Sequence, residues 1–370
     1  VIPVFEPILD EGDFLAITSA FRRGEISGSF GDSVPEFERA FSSYCSVKHG
    51  VAVSSGTAAL QLAVATASIG AGDEVLLSSL TNIATALAVI HNGAVPVPVD
   101  SEEETWNLDL DRLESLITPR TRAIIPVHLY GHPVDMDRLC AIAERHRLIV
   151  IEDCAQSHGA TCCGRMTGSF GQMGCFSFYA NKVITTGEGG MVLTNDDAFA
   201  NRLRLLRNLA YAKPRFFHEV AGYNFRMTGL QAAMGTSQTS RLDSIIGNKR
   251  RVAATYNQLL ADVSWLQLPT EAPWARSVYW MYAVSVREGF ARKRDEILQR
   301  LRVAGVDTRT FFCPMNQQPC VQRVPGYRET TCRVADRLWT SGFYLPSKPN
   351  LSSDVIEVVA NALIEAGGGR

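Results

Sequence analysis

The feature that most constrains this chain is a series of short, continuously apolar segments separated by helix-like stretches across its first two thirds. VAVSS (from Val51), EVLLSS (from Glu74), VPVPVD (from Val95), RAIIPVHLYG (from Arg122) and LIVIEDCAQ (from Leu148) read as strands, and CFSFY and GMVLTN add two more. A half-solvated strand alternates apolar and polar residues, so strands that are apolar throughout belong to a sheet covered on both faces. TAALQLAVATAS, NIATALAVIHNG and MDRLCAIAERHR lie between them with helical patterning, the second closed by Gly93. This strand–helix repetition predicts a mostly parallel α/β architecture. After about residue 240 the pattern changes. SRLDSIIGNKRRVAATYNQLLADV reads as a long amphipathic helix with a basic middle. VYWMYAVSV, a helix at RKRDEILQRLRVAG, the segment VDTRTFF and a last helix from about Ser353 follow. The expectation is a large α/β domain over residues 1–240 and a smaller α+β domain over 241–370, with the long helix as hinge.

Length and charge exclude several function classes. A chain of 370 residues suits two domains. Its 36 basic and 38 acidic residues give a net charge of −2 with no long run of one sign, so neither nucleic acid nor an anionic membrane is an expected partner. The longest apolar stretch, around residues 83–90, is too short to span a bilayer. VIPVFEPILDEGD lacks the charged and apolar regions of a signal peptide. Nine cysteines without a Cys-x-x-Cys pair suggest reduced, mostly buried thiols in a cytoplasmic protein. Seven histidines without H-E-x-x-H spacing give no reason to expect a catalytic metal.

Ligands of open α/β sheets bind at the carboxyl ends of strands, and four features fall there. Ser54-Ser55-Gly56-Thr57-Ala58-Ala59 joins a strand to a helix, where free N–H groups and the helix dipole suit a phosphate; simple capping of the helix explains it equally. Asp153 ends the apolar IVIED run. A buried carboxylate wants a partner such as a protonated ring nitrogen, although a helix cap or a salt bridge also serves. Gln156, three residues on, can face the same ligand. SFYANKVITTGEGGMVLTN holds Ser177 and Lys182 between two strands. A desolvated lysine becomes a nucleophilic amine, whereas a lone lysine is usually solvated. GYNFRMTGLQAAMG places Asn224 and Arg226 before the long helix, where a turn plus a core helix would also account for them.

Taken together, with Lys182 standing 29 positions after Asp153, these segments resemble the fold-type I pyridoxal-phosphate enzymes, and more narrowly the nucleotide-sugar aminotransferases. The resemblance runs from IPVFEPIL and EISGSFGDSVPEFERAF through PVHLYGHPVDM, VIEDCAQSHGA and GSFGQMGCFSFYANKVITTGEGGMVLTND to YWMYAV, TRTFFCPMNQQP and FYLPSKPNLS. It implies an aspartate-aminotransferase-like large domain with a mostly parallel seven-stranded sheet. It also implies pyridoxal 5'-phosphate as cofactor, with a pyridoxamine 5'-phosphate form during turnover. By the same resemblance Lys182 is the Schiff-base and acid–base residue, Asp153 meets the pyridine nitrogen and Gln156 the ring's 3-hydroxyl. Gly56, Thr57, Ala58 and Ser177 hold the phosphate, and Asn224 reaches it from the second subunit of a homodimer. Arg226 and Asn316 become candidates for substrate contact.

The implied reaction is ping-pong transfer of an amino group from an amino acid, glutamate first, to a nucleotide-linked keto sugar. NKVITTGEGG is most like the perosamine type, which aminates C4 of a 4-keto-6-deoxy sugar, while relatives with histidine in place of the lysine tend to be dehydratases. Two positions depart from the family pattern. Asn82 stands where many relatives stack an aromatic ring on the cofactor, and Asn316 stands where relatives often carry histidine. His158 can be a cofactor neighbour or a structural histidine, and Tyr279, Trp280 and Tyr282 read first as strand core. The competing readings are a transaminase of a cyclitol or aminobenzoate-type ketone, a C3-specific sugar aminotransferase, a cofactor-sensing regulator, and a plain nucleotide-binding protein.

Overall fold

The computed structural model of the chain describes residues 1–214 and 216–369. The apolar runs form β1 (His49–Val53), β2 (Glu74–Ser78), β3 (Val95–Val99), β4 (Thr121–Ile125) and β5 (Ile149–Asp153). Two short strands follow, β6 (Thr161–Cys162) and β7 (Arg165–Met166), and then β8 (Met173–Ser177) and β9 (Gly190–Thr194). Seven of these make one sheet in the order β1-β9-β8-β5-β4-β2-β3. Only β9 runs antiparallel to its neighbours, β1 and β8. The two prolines of VPVPV put β3 at an edge. Pro96 and Pro98 lack the N–H that an outer partner strand would need, while the valines between them pair with β2.

Helices cover both faces, as continuously apolar strands require. In chain order they are α1 (Glu11–Arg22), α2 (Ser33–Tyr44), α3 (Gly56–Thr66), α4 (Ala84–Ile90), the short α5 (Leu110–Leu113), α6 (Met136–His146), α7 (Asp197–Arg207), α8 (Gly229–Ser240) and α9 (Leu242–Leu260). Phe37 and Phe41 of α2 pack with Phe176, Phe178 and Ala52 on one face. Leu62 and Ala63 of α3 pack with Val51, Val53 and Ile151 on the other. Successive strand residues thus enter different cores.

Three expected elements are shorter than their apolar runs. RAIIPVHLYG stops being a strand at Ile125, because Pro126 cannot donate to a ladder; a 3-10 turn at Leu129–Gly131 follows, with Tyr130 at φ 52. The helix in NIATALAVIHNG begins at Ala84, whose N–H is taken by the Asn82 side-chain Oδ1 at 3.0 Å. Only Tyr282–Val286 of VYWMYAVSV is strand, and Tyr279 sits in the left-handed region at φ 47.

Beyond α9, a four-stranded sheet orders Leu266–Gln267, Tyr282–Val286, Gly342–Leu345 and Arg309–Thr310, all antiparallel. Tyr256 of α9 and Val359 and Leu363 of the final helix (Ser353–Gly367) share a core with Phe343 of this sheet. The first residues of the chain dock here as well. Ile2 pairs with Val306, and Ser347 donates its N–H to the Val4 carbonyl at 3.2 Å. Among the described residues no helix is long and apolar enough to cross a membrane.

Candidate active site

A cavity of about 190 Å³ opens where β1, β5 and β8 end. It is lined by Gly56, Thr57, Asn82, Asp153, Gln156, Ser177 and Lys182, so sequence positions spread over more than a hundred residues converge there. The strand order explains this, since β8 and the antiparallel β9 lie between β1 and β5, so the carboxyl ends of β1, β5 and β8 meet the amino end of β9 at one end of the sheet.

The α3 end is built to receive an anion. Ser55 is extended and its hydroxyl accepts the Ala58 N–H at 3.1 Å. Ala58 is therefore spent on capping, while the N–H groups of Gly56 and Thr57 have no protein acceptor among the described residues. Gly56 is required by close approach, since a Cβ there would lie 2.5 Å from Ser177 Cβ. That contact sets the Ser177 side chain beside the helix N-terminus.

Asp153 is 4% exposed. Its two oxygens accept the Ala155 N–H at 3.1 Å and the Thr85 hydroxyl at 2.8 Å. Burial pushes its pKa up, and the two donors and the charge of Lys182 oppose that rise. The preceding Glu152, buried as strand alternation dictates on the other face, accepts three backbone N–H groups from Gly168, Phe170 and Gly171, and this anchors the strand end. Gln156 accepts the Tyr130 N–H at 2.7 Å.

The Lys182 amine has no hydrogen bond or ion pair among the described residues; it lies over the Trp280 ring, 4.1 Å from the centroid. Burial pulls its pKa down to about 8, and Asp153 opposes the shift. The fourth titratable neighbour, His158, is fully buried among Phe41, Phe176 and Phe178, with Nε2 at 2.8 Å from the Ser177 carbonyl. Burial, reinforced by Lys182, lowers its pKa to about 3, so it is a neutral support behind Ser177.

Ala58 is taken up by the cap, and three more of the expected residues, Asn224, Arg226 and Asn316, do not line this cavity. Asn224 pairs with Asn208 in an isolated bridge, and Arg226 donates to the Asn208 side chain at 2.6 Å, in a separate concavity with Arg204 and Arg207. Asn316 is buried between the Ser79 hydroxyl at 2.8 Å and the Asp336 carboxylate at 3.0 Å, which ties the β2 exit to the helix at Arg333–Ser341. Asn82 lines the cavity while capping the start of α4. Sequence reasoning passed over Tyr179 and Glu188, which also line the cavity, and Thr85, which holds Asp153. The first two lie inside the quoted lysine segment. Thr85 is recognisable only once α4 is known to cross the end of β5.

A free amine, a buried carboxylate and a helix end with two unclaimed N–H groups around a cradle with no room for a Cβ fit pyridoxal phosphate, which needs a carbonyl partner, a ring-nitrogen partner and a phosphate seat. With the covered seven-stranded sheet, they define a pyridoxal-phosphate-dependent enzyme of the aspartate-aminotransferase-like fold. Known proteins narrow the class. Residues 7–364 match the DegT/DnrJ/EryC1/StrS aminotransferase family, and the chain belongs to it. It is 43% identical over 337 residues to a GDP-perosamine synthase of Caulobacter vibrioides, covering 90% of each chain. It is 42% identical to the dTDP-3-amino-3,4,6-trideoxy-alpha-D-glucose transaminase of Streptomyces venezuelae, over 78% of this chain and 75% of that one. The crystal structure of S. venezuelae DesV superposes with a TM-score of 0.90 at 37% identity, covering 99% of both chains.

Proposed function

We propose that this aminotransferase moves an amino group from an amino acid, L-glutamate first, to C4 of a nucleotide-linked 4-keto-6-deoxy hexose. The observation that carries the reading is the unpaired Lys182 amine in one cavity with Asp153 and the N-terminus of α3. The perosamine-synthase name of the relative at 43% identity supports the C4 position. The 3-amino sugar named for the Streptomyces relative keeps the C3 position as the second reading.

In this mechanism Lys182 holds the cofactor through its amine, Asp153 meets the ring nitrogen, Gln156 the 3-hydroxyl, and Gly56, Thr57 and Ser177 the phosphate. The bound cofactor supplies an electron-withdrawing ring that stabilises negative charge on the donor's α-carbon. When free, the Lys182 amine would carry the proton between the donor's α-carbon and the cofactor carbon that receives it, and its pKa near 8 suits both taking and giving a proton. The Thr85 and Ala155 donors favour the ionised form of Asp153 against the rise that burial causes, and an ionised Asp153 would favour a protonated ring. Asn224 and Arg226 act in the cavity of a second copy, so the working unit is a homodimer. Their distance from the cavity of their own chain supports that assignment. The nine free cysteines suit a reducing cytoplasm.

The test is an absorption spectrum of wild type and Lys182→Ala with and without L-glutamate, followed by turnover on 4-keto and 3-keto sugar nucleotides and on keto-inositols. Wild type is expected to show a visible band that glutamate converts, and to turn over the 4-keto sugars fastest. A wild type without a chromophore after incubation with pyridoxal phosphate overturns the transaminase reading. Preference for a keto-inositol overturns the substrate.

A further inference from the structure

The indole against Lys182 is held far more firmly than packing alone requires. Lys249 of α9 is 2% exposed, and its amine donates to the Trp280 carbonyl at 2.7 Å and to the Ser347 carbonyl at 2.5 Å. The Trp280 Nε1–H donates to the Asn181 carbonyl at 2.6 Å, one residue before the reactive lysine. Tyr130 lies parallel to the indole, with centroids 6.4 Å apart and planes 14° from parallel. Tyr279 stands in the left-handed region, unfavourable for an aromatic residue, and a Cβ on Gly131 would lie 2.8 Å from the Trp280 nitrogen. Backbone, ring nitrogen and ring plane are thus each fixed by a different part of the chain.

We propose that Trp280 is a positioning residue that holds the Lys182 amine on its indole face whenever that amine is free, and that Lys249 clamps Trp280 in this pose. The proposal rests on the reading of Lys182 as the acid–base group. A freed lysine amine on a long flexible stem must stay within reach of the reacting carbons, and nothing else among the described residues hydrogen-bonds it. An aromatic face attracts the ammonium form, enough to favour it over the amine by about two- to thirtyfold. The face accepts the amine without a directional hydrogen bond, so the amine can leave to take or deliver a proton. Asp153, Glu188 and Tyr179 line the same cavity, and His158 lies beyond Ser177; all four stay unchanged in the variants below.

The experiment uses full-length enzyme loaded with pyridoxamine phosphate, in which Lys182 is free. Acetic anhydride labelling across pH, read by mass spectrometry of the Lys182 peptide, reports how the amine titrates, and steady-state kinetics are measured alongside. Trp280→Leu is expected to lower kcat about tenfold with KM within about threefold, and to move half-labelling of Lys182 to lower pH. Trp280→Phe keeps an aromatic face and is expected to stay within about threefold of wild type in kcat, with little change in labelling. Lys249→Met, which removes only the clamp, is expected to fall between them. Equal losses in Trp280→Leu and Trp280→Phe with an unmoved labelling curve would leave Trp280 as packing and overturn the proposal. If Lys182→Ala is inactive while Trp280→Leu behaves as wild type, this inference alone fails. If Lys182→Ala retains turnover, the proposed function fails first.

Discussion

Gly56→Ala tests the anion cradle with a single methyl group. The added Cβ would sit 2.5 Å from Ser177 Cβ and 3.1 Å from Ser177 Cα, where ordinary contacts begin at 3.4 Å. The mismatch is about 1 Å, and the obstacle includes main chain, so no rotamer change relieves it. Neither partner can move alone. Ser177 is paired with Gly190 in the sheet, and Gly190 is itself pressed against the Ser55 carbonyl, which a Cβ would approach to 2.3 Å. The Ser55–Gly56 turn must therefore lift away from the ends of β8 and β9. Overpacking of this kind costs about 1–3 kcal/mol of stability. The same lift separates the Gly56 and Thr57 N–H groups from the Ser177 hydroxyl, and losing one hydrogen bond to a charged phosphate is worth about 1.5–3 kcal/mol. The Kd for pyridoxal phosphate is then expected to rise about ten- to a hundredfold. Titration of apoenzyme with the cofactor, followed by the visible band, measures it. Gly247→Ala in α9 is the control, because a Cβ there meets nothing within 4 Å and should stabilise the helix by about 0.5–1 kcal/mol with cofactor affinity unchanged. A Gly56→Ala enzyme that binds cofactor within about twofold of wild type would refute the cradle argument.

Three further perturbations probe the supports of the site. Asp153→Asn keeps the shape but removes the charge that faces the ring, and kcat is expected to fall about a hundred- to a thousandfold with the fold intact by circular dichroism. Thr85→Val deletes the hydroxyl that donates to Asp153 at 2.8 Å; a loss of about 1–3 kcal/mol should appear as about a five- to hundredfold drop in kcat/KM, with donor and acceptor substrates affected alike. His158 stays neutral in the fold down to pH about 3 while the unfolded chain protonates it near pH 6.5. The unfolded state therefore binds the extra proton between those values, and stability drops as pH falls, by up to about 1.4 kcal/mol per unit. His158→Gln can still donate to the Ser177 carbonyl and carries no titration, so its Tm should fall less than wild type's between pH 7 and pH 5.

The parts of the site legible in the sequence are those that a strand end delivers locally. Asp153 follows an apolar run directly, Ser177 and Lys182 flank a strand exit, and Gly56-Thr57 sit at a strand-to-helix junction, so each is tied to a segment whose pattern already fixes its place. The sheet was legible for the same reason, because β1 to β5, β8 and β9 each carry an apolar run that is buried on both faces. What could not be read are contacts that depend on how distant segments cross. Thr85 meets Asp153 across 68 residues, and Trp280 meets Asn181 across 99. Asn82 shows the limit from the other direction. An asparagine in place of an aromatic residue looked like a lost stacking partner, yet its side-chain Oδ1 accepts the Ala84 N–H and so helps to set the helix that carries Thr85 to Asp153.

The two lysines of the site region show why residue type alone could not decide between structure and chemistry. Burial lowers the pKa of both, Lys182 to about 8 and Lys249 to about 7. Lys249 is surrounded by acceptors, with two carbonyl oxygens and the Ser347 hydroxyl within hydrogen-bond reach. Its amine is saturated, so moving it would strand buried carbonyls, and its role is to hold the backbone of Trp280 in place. Lys182 has a cavity and an aromatic face but no acceptor, so its amine can leave at little cost in hydrogen bonds. A saturated buried amine is architecture, and an unsaturated one beside a cavity is available for reaction. The sequence places the two 67 residues apart (249 − 182); their partners separate them, and the acceptors that hold Lys249 come from Trp280 and Ser347, beyond the long helix.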